Sequence, residues 1–246
     1  MSQLAFFVNS DACSGCKTCQ VACKDKNNLE AGLHWRRVYE VTAGVWQKKG
    51  EAWTSTVAAY NLSVACHHCL EPVCGKQCSV DAIWKRPDGI VLIDQARCTK
   101  CNKCRADCPY EAIRYDAATN TVSKCDFCLD LIESGQPPAC VSACPNRALE
   151  FGELDDLKRR YGTLDRVFPL EDPVVSRPAL VIRPHRHAAL VQSREPEVAN
   201  WEELLGRPAG RPRGDTGEAT GRSPMCEQRQ TTNGGPIHDR HRPQPS

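Results

Sequence analysis

The sequence predicts an α+β fold of short helices and small sheets, and three observations carry that expectation. Sixteen of the seventeen cysteines fall into four quartets spread from residue 13 to residue 144 of a 246-residue chain. The segments between quartets read as short apolar runs joined by polar or Asp-Gly turns, the pattern of small hairpins. A motif, C-x3-A followed by Ile or Leu, closes three quartets: Cys78-Ser79-Val80-Asp81-Ala82-Ile83, Cys108-Pro109-Tyr110-Glu111-Ala112-Ile113 and Cys144-Pro145-Asn146-Arg147-Ala148-Leu149. Such a repeat marks one turn and one strand used three times, with a small residue packed close to whatever the cysteines hold. Aromatic residues make up only 6% of the chain, and cysteine and alanine supply much of its 41% hydrophobic content. A large apolar core is therefore not available, and bound groups are expected to substitute for it.

The quartets are Cys13, Cys16, Cys19 and Cys23; Cys66, Cys69, Cys74 and Cys78; Cys98, Cys101, Cys104 and Cys108; and Cys125, Cys128, Cys140 and Cys144. The first and third follow C-x2-C-x2-C-x3-C, which in bacterial ferredoxins gives three thiolates to one iron–sulfur cubane and the fourth to its neighbour. Sixteen thiolates serve four [4Fe–4S] clusters at four each, and only Cys226 is left over. Disulfides suit small secreted domains, and residues 1–10 lack the basic and apolar regions of a secretory signal. Close C-x2-C pairs are also poorly disposed for unstrained disulfides. Structural zinc is the stronger rival, since paired C-x2-C motifs make tetrahedral sites. Three thiolates at i, i+3 and i+6, however, wrap one loop around a cubane corner. Spacing alone does not choose which quartets exchange a thiolate.

Taken in order, a first helix is expected after Cys16 to about residue 25. Two longer strands, 35–41 and 53–62, bracket residues 44–51 and form an insertion. Hairpins follow at 82–85 with 90–93, around Arg86-Pro87-Asp88-Gly89, and at 112–115 with 121–124, around the polar turn 116–120. Helices are expected over 126–134, closed by Gly135, and over 155–161, closed by Gly162. Asn200-Trp201-Glu202-Glu203 caps a one-turn helix through Leu205. Pro109 and Pro145 stiffen the turn of the repeat, whereas Ser79 stands there in the first copy. From Gly206 the chain is rich in Gly, Pro and Arg, nearly free of apolar residues, and expected to be disordered, with Cys226 a free thiol. Four acids among its seven arginines read as a solvated tail.

Net charge is only +2, which argues against general nucleic-acid binding. No run approaches the roughly 18 apolar residues of a membrane span. There is no nucleophile–base constellation, Rossmann G-x-G-x-x-G or P-loop, so the chain is not expected to catalyse a substrate reaction by itself. His67 and His68, inside the second quartet, are expected beside a cluster or on the surface rather than as ligands. Lys17, Lys24, Lys100, Lys103 and Arg105 flank ligands; a cation there raises a cluster's potential, although solvated surface is the plainer account. Trp84 is expected to pack over a cluster rather than to relay electrons.

Further segments extend the pattern. Phe6-Phe7-Val8-Asn9-Ser10 leads into Cys13-Ser14-Gly15-Cys16-Lys17-Thr18-Cys19, with Ala22-Cys23-Lys24-Asp25 after it. Arg36-Arg37-Val38-Tyr39-Glu40, Asn61-Leu62-Ser63-Val64-Ala65-Cys66 and Lys85-Arg86-Pro87-Asp88-Gly89 follow, then Ser123-Lys124-Cys125-Asp126-Phe127-Cys128 and Arg147-Ala148-Leu149-Glu150-Phe151-Gly152. From about Ser2 to Arg183 the chain thereby resembles the iron–sulfur subunit of the dimethyl sulfoxide reductase family of molybdenum oxidoreductases.

That resemblance implies a ferredoxin-like fold of two bicluster modules. Residues 1–62 with 121–195 form an outer module of first and fourth quartets, residues 63–120 an inner one, and 196–246 a mostly disordered tail. It implies one cluster on Cys13, Cys16, Cys19 and Cys144, and a second on Cys23, Cys125, Cys128 and Cys140. A third falls to Cys66, Cys69, Cys74 and Cys108, and a fourth to Cys78, Cys98, Cys101 and Cys104. Some relatives carry tryptophan and a three-iron cluster at one third-quartet position; Cys101 here implies four [4Fe–4S] clusters. The implied partners are a molybdopterin-containing catalytic subunit and an integral membrane, quinol-linked subunit. The implied location is peripheral to the membrane, on the periplasmic side by co-export with a partner rather than cytoplasmic. Polysulfide, tetrathionate or formate complexes, or a free polyferredoxin carrier, are the alternative settings.

Overall fold

The computed structural model describes residues 2–170 and 176–205. β1 (Leu4–Asn9) is apolar and buried on both faces: Phe6 and Val8 join the main core, Ala5 and Phe7 a smaller one. Such a strand shows no alternation, which is why periodicity does not announce it. α1 (Thr18–Lys26) carries Cys19 and Cys23 on its buried side. β2 (Arg37–Ala43) opens the insertion, β3 (Trp46–Lys49) and β4 (Ala52–Ser55) form an exposed hairpin, and β5 (Ala58–Val64) returns antiparallel to β2.

The strand expected over 53–62 is thus two strands. Gly44, at φ +87°, brings the chain so close to Thr56 that a Cβ would collide with the Thr56 carbonyl. Thr56 Oγ1 both accepts from Val45 N–H and donates to Val45 C=O, pinning the pinch between the two hairpins.

The second and third quartets build the same unit twice. α2 (Val73–Lys76) precedes the hairpin β6 (Ile83–Lys85) and β7 (Val91–Ile93), and α3 (Lys103–Ala106) precedes β8 (Arg114–Asp116) and β9 (Thr121–Ser123). α2 packs on α3. Both hairpins are shorter than expected, because the first alanine of each repeat belongs to the turn. α4 (Leu129–Glu133) begins three residues later than the expected helix, since Phe127 and Cys128 have φ of +67° and +52°. α5 (Ala139–Ser142) packs against α1, so the first and fourth quartets meet as the second and third do.

β10 (Leu149–Glu153) pairs antiparallel with β1, and after α6 (Leu154–Tyr161) the chain returns as β11 (Leu180–Arg183), parallel to β1 on its other edge. Leu154 and Leu157 of α6 seal the Ala5, Phe7 and Val181 face, and Phe7 stacks on Tyr161 with ring centroids 3.8 Å apart. α7 (Ala188–Gln192), β12 (Glu197–Val198) and α8 (Trp201–Leu205) complete the described chain. β12 adds to β2. Asn200 accepts from Glu40 N–H and donates to Val38 C=O, both at 2.9 Å, and Leu204 is buried.

Residues 197–205, grouped by sequence with the tail, therefore fold onto β2; their few apolar side chains suffice because the edge of β2 is open to them. Residues 206–246, Cys226 among them, lie outside the described residues. Among the described residues no helix is long and apolar enough to cross a membrane.

Candidate metal-cluster sites

Cysteines from different quartets meet around shared spaces. One cavity is lined by Cys13, Cys16 and Cys19 of the first quartet together with Cys144 of the fourth. Another is lined by Cys98, Cys101 and Cys104 of the third together with Cys78 of the second. Among the remaining eight cysteines, Cys23 lies within electrostatic reach of Cys140 and Cys128, Cys125 of Cys23, Cys66 and Cys140, and Cys69 of Cys66, Cys108 and Cys74.

Burial pushes the Cys13 thiol up to about 11 and those of Cys23, Cys74 and Cys104 up to about 12, with neighbouring thiolates adding to it. A thiol raised in this way ionises readily only beside a cation, and binding one releases protons. Among the described residues no three His, Cys, Asp or Glu side chains converge on the position of a single metal ion.

The backbone is shaped for the same purpose. Gly15, Lys100 and Phe127, each two residues after the first cysteine of its quartet, have φ of +73°, +61° and +67°. Their N–H groups point at the preceding sulfur, at 3.4 Å for both Lys100 to Cys98 and Phe127 to Cys125. Lys17 and Asn102 repeat the left-handed step at φ +61° and +59°. Alternation of this kind turns successive N–H groups into an anion cradle typical of iron–sulfur sites. The first cradle favours glycine, because a Cβ on Gly15 would lie 2.6 Å from Asn61 Oδ1 and that side chain would have to move.

The C-x3-A repeat now has a cause. Ala82, Ala112 and Ala148 donate their N–H groups to Cys78, Cys108 and Cys144 Sγ at 3.3, 3.4 and 3.2 Å. The residues before them, Asp81, Glu111 and Arg147, are left-handed at φ +48°, +48° and +52°. Ser79 leaves this turn unchanged.

Several buried polar side chains stand beside the sites, and of these only His67 and His68 were weighed by sequence. Arg36 and Arg37 are each 1% exposed, and two guanidinium nitrogens of each lack a hydrogen-bond partner, although Arg37 Nη1 faces the Glu111 carboxylate at 3.9 Å. Lys124 is buried too, but its Nζ donates to the carbonyls of Val91 and Cys125. His67 and His68 are buried; His68 Nδ1 accepts from Val91 N–H at 3.0 Å, leaving Nε2 as an unmatched donor. An uncompensated buried charge costs on the order of 3–5 kcal/mol, so these donors imply anionic acceptors among the sulfurs.

The one available signal was two adjacent arginines at the head of an apolar strand, where alternation alone would send one of them inward. The flanking lysines weighed by sequence behave differently: Lys17 is committed to Glu40 at 2.8 Å and Glu203 at 2.5 Å on the surface. Trp84 is 46% exposed, because Ile83 takes the inward position of β6.

Small sheets, paired helices and cysteine-lined cavities with amide cradles define an iron–sulfur protein of the ferredoxin kind. Residues 57–154 match the family model described as a 4Fe-4S dicluster domain. The chain is 41% identical over 191 residues to a chain of the anaerobic dimethyl sulfoxide reductase of Haemophilus influenzae, covering 77% of this chain and 93% of that one. It is 39% identical over 203 residues to the like-named chain from Escherichia coli, covering 82% and 99%. It is 34% identical over 160 residues to a subunit of the tetrathionate reductase of Salmonella typhimurium, covering 65% and 62%. The chain belongs to the iron–sulfur, electron-transfer subunits of the dimethyl sulfoxide reductase family.

Proposed function

We propose that the chain relays electrons through four [4Fe–4S] clusters between a quinol-linked membrane subunit and a molybdopterin catalytic subunit of an anaerobic dimethyl sulfoxide reductase-type complex. Cys13, Cys16, Cys19 and Cys144 hold the first cluster, and Cys23, Cys125, Cys128 and Cys140 the second. Cys66, Cys69, Cys74 and Cys108 hold the third, and Cys78, Cys98, Cys101 and Cys104 the fourth. The observation that carries this assignment is the pair of cavities, each lined by three cysteines of one quartet and one of another.

A linear order is supported by reach between sets: Cys19 with Cys140, Cys125 with Cys66, and Cys74 with Cys104. The first and second clusters then form the outer module and the third and fourth the inner one, and the chain conducts rather than catalyses. The greater likeness to chains named for dimethyl sulfoxide than to the tetrathionate reductase relative favours the former setting. Placement on the periplasmic face, by export with a partner, belongs to the same proposal.

Purified anaerobically from its native host, the chain is expected to carry about sixteen iron and about sixteen acid-labile sulfide, and to bring a molybdenum-containing protein with it. A chain running alone would be a free carrier. About four zinc without sulfide would overturn the iron–sulfur assignment.

A further inference from the structure

Arg36 stands immediately before β2, between the first two cysteine sets. Its Nη1 donates to Ser63 Oγ at 3.1 Å, and Ser63 Oγ lies 3.3 Å from Cys19 Sγ, on the wall of the first cavity. Its backbone N–H is directed at Cys23, and its charge reaches Cys125 and Cys140, all of the second set. The guanidinium is held over the Phe6 ring, 4.6 Å from the centroid, which fixes its plane without satisfying its donors. Nε and Nη2 remain unmatched at 1% exposure. Lys124 and Arg37, also buried cations near the sites, differ: backbone carbonyls take the Lys124 ammonium, and Arg37 donates to the Tyr110 carbonyl and faces the Glu111 carboxylate at 3.9 Å.

We propose that Arg36 is the shared counter-charge of the first two cluster sites and holds both reduction potentials up together. The inference rests on the ligand assignment proposed above. Adding one electron to either centre adds negative charge beside the guanidinium, so the reduced form of each is favoured by the same group. One fixed charge serving two neighbours also keeps their potentials in step, which suits successive stations of a relay. Arg36 touches no substrate; it acts by position.

The test is EPR-monitored redox titration of the anaerobically purified chain, with signals assigned by Cys16→Ser for the first site and Cys128→Ser for the second. In Arg36→Gln both assigned signals should titrate at lower potential, the reduced-to-oxidised ratio at fixed potential falling about tenfold, or about 59 mV for a one-electron couple. Signals of the third and fourth sites should stay in place, and Arg36→Lys should restore most of the shift. Ser63→Ala, which keeps the charge and removes the link to Cys19, should move the first signal alone. It stands as an independent test should Arg36→Gln load poorly. Unchanged potentials in Arg36→Gln, or in Ser63→Ala where the arginine variant does not load, would overturn the proposal and leave the ligand assignment intact. A shift confined to signals altered by Cys74→Ser or Cys101→Ser would overturn both.

Discussion

At Gly15 the backbone turns left-handed at φ +73°, which aims its N–H at Cys13, and the Asn61 side chain fills the place of a Cβ. Gly15→Ala combines a left-handed penalty of about 1–2 kcal/mol with that collision. It should cost the first cluster and lower the iron content by about four per chain, while the third cradle, which accepts Lys100 at φ +61°, stays loaded. Iron and sulfide analysis checks this, and a fully loaded Gly15→Ala protein would refute the cradle's role. All sixteen cysteines were legible in the sequence because spacing along one loop is a one-dimensional property. Arg36 and Arg37 were not legible as site residues. A buried cation makes sense only beside anions that three distant segments bring to it.

Among elements, α8 and β12 show how little apolar surface anchors a segment once an open edge is present. Leu204 is 0% and Val198 7% exposed, and Arg114 Nη2 donates to the Leu204 carbonyl at 3.2 Å. Removing residues 206–246 should leave cluster content and denaturant midpoint nearly unchanged, since that stretch has almost no core-forming residues. Truncation from residue 195 should instead destabilise the loaded protein by about 3 kcal/mol or more, from two buried aliphatic side chains at about 1.5–3 kcal/mol each. Equal midpoints for the two truncations would contradict this account of the C-terminal elements. The hairpins after the second and third quartets were legible from turn chemistry and paired apolar runs. β1 was not, because burial on both faces erases its alternation, and the helix over 126–134 was overdrawn because Phe127 and Cys128 serve the cradle instead.

Across the whole molecule, the main apolar cluster takes in residues of both expected modules, Phe6 and Tyr60 as well as Ile90 and Tyr110. Folding and cluster binding should accordingly proceed together. In the proposed order the first set includes the exposed Cys16 and all four cysteines of the fourth are half-buried. Both proposed ends thus lie near the surface, where docking to partners would need them. The proposed exchange of thiolates between quartets was beyond the reach of spacing, since α1 meets α5, and α2 meets α3, only in three dimensions.

That exchange is the central claim, and EPR spectroscopy of single ligand variants tests it most directly. Cys23→Ser, although it lies in the first quartet, should perturb the signal altered by Cys128→Ser and spare the signal altered by Cys16→Ser. If Cys23→Ser and Cys16→Ser alter one common signal and leave that of Cys128→Ser untouched, each quartet closes on itself and the crossed assignment is wrong.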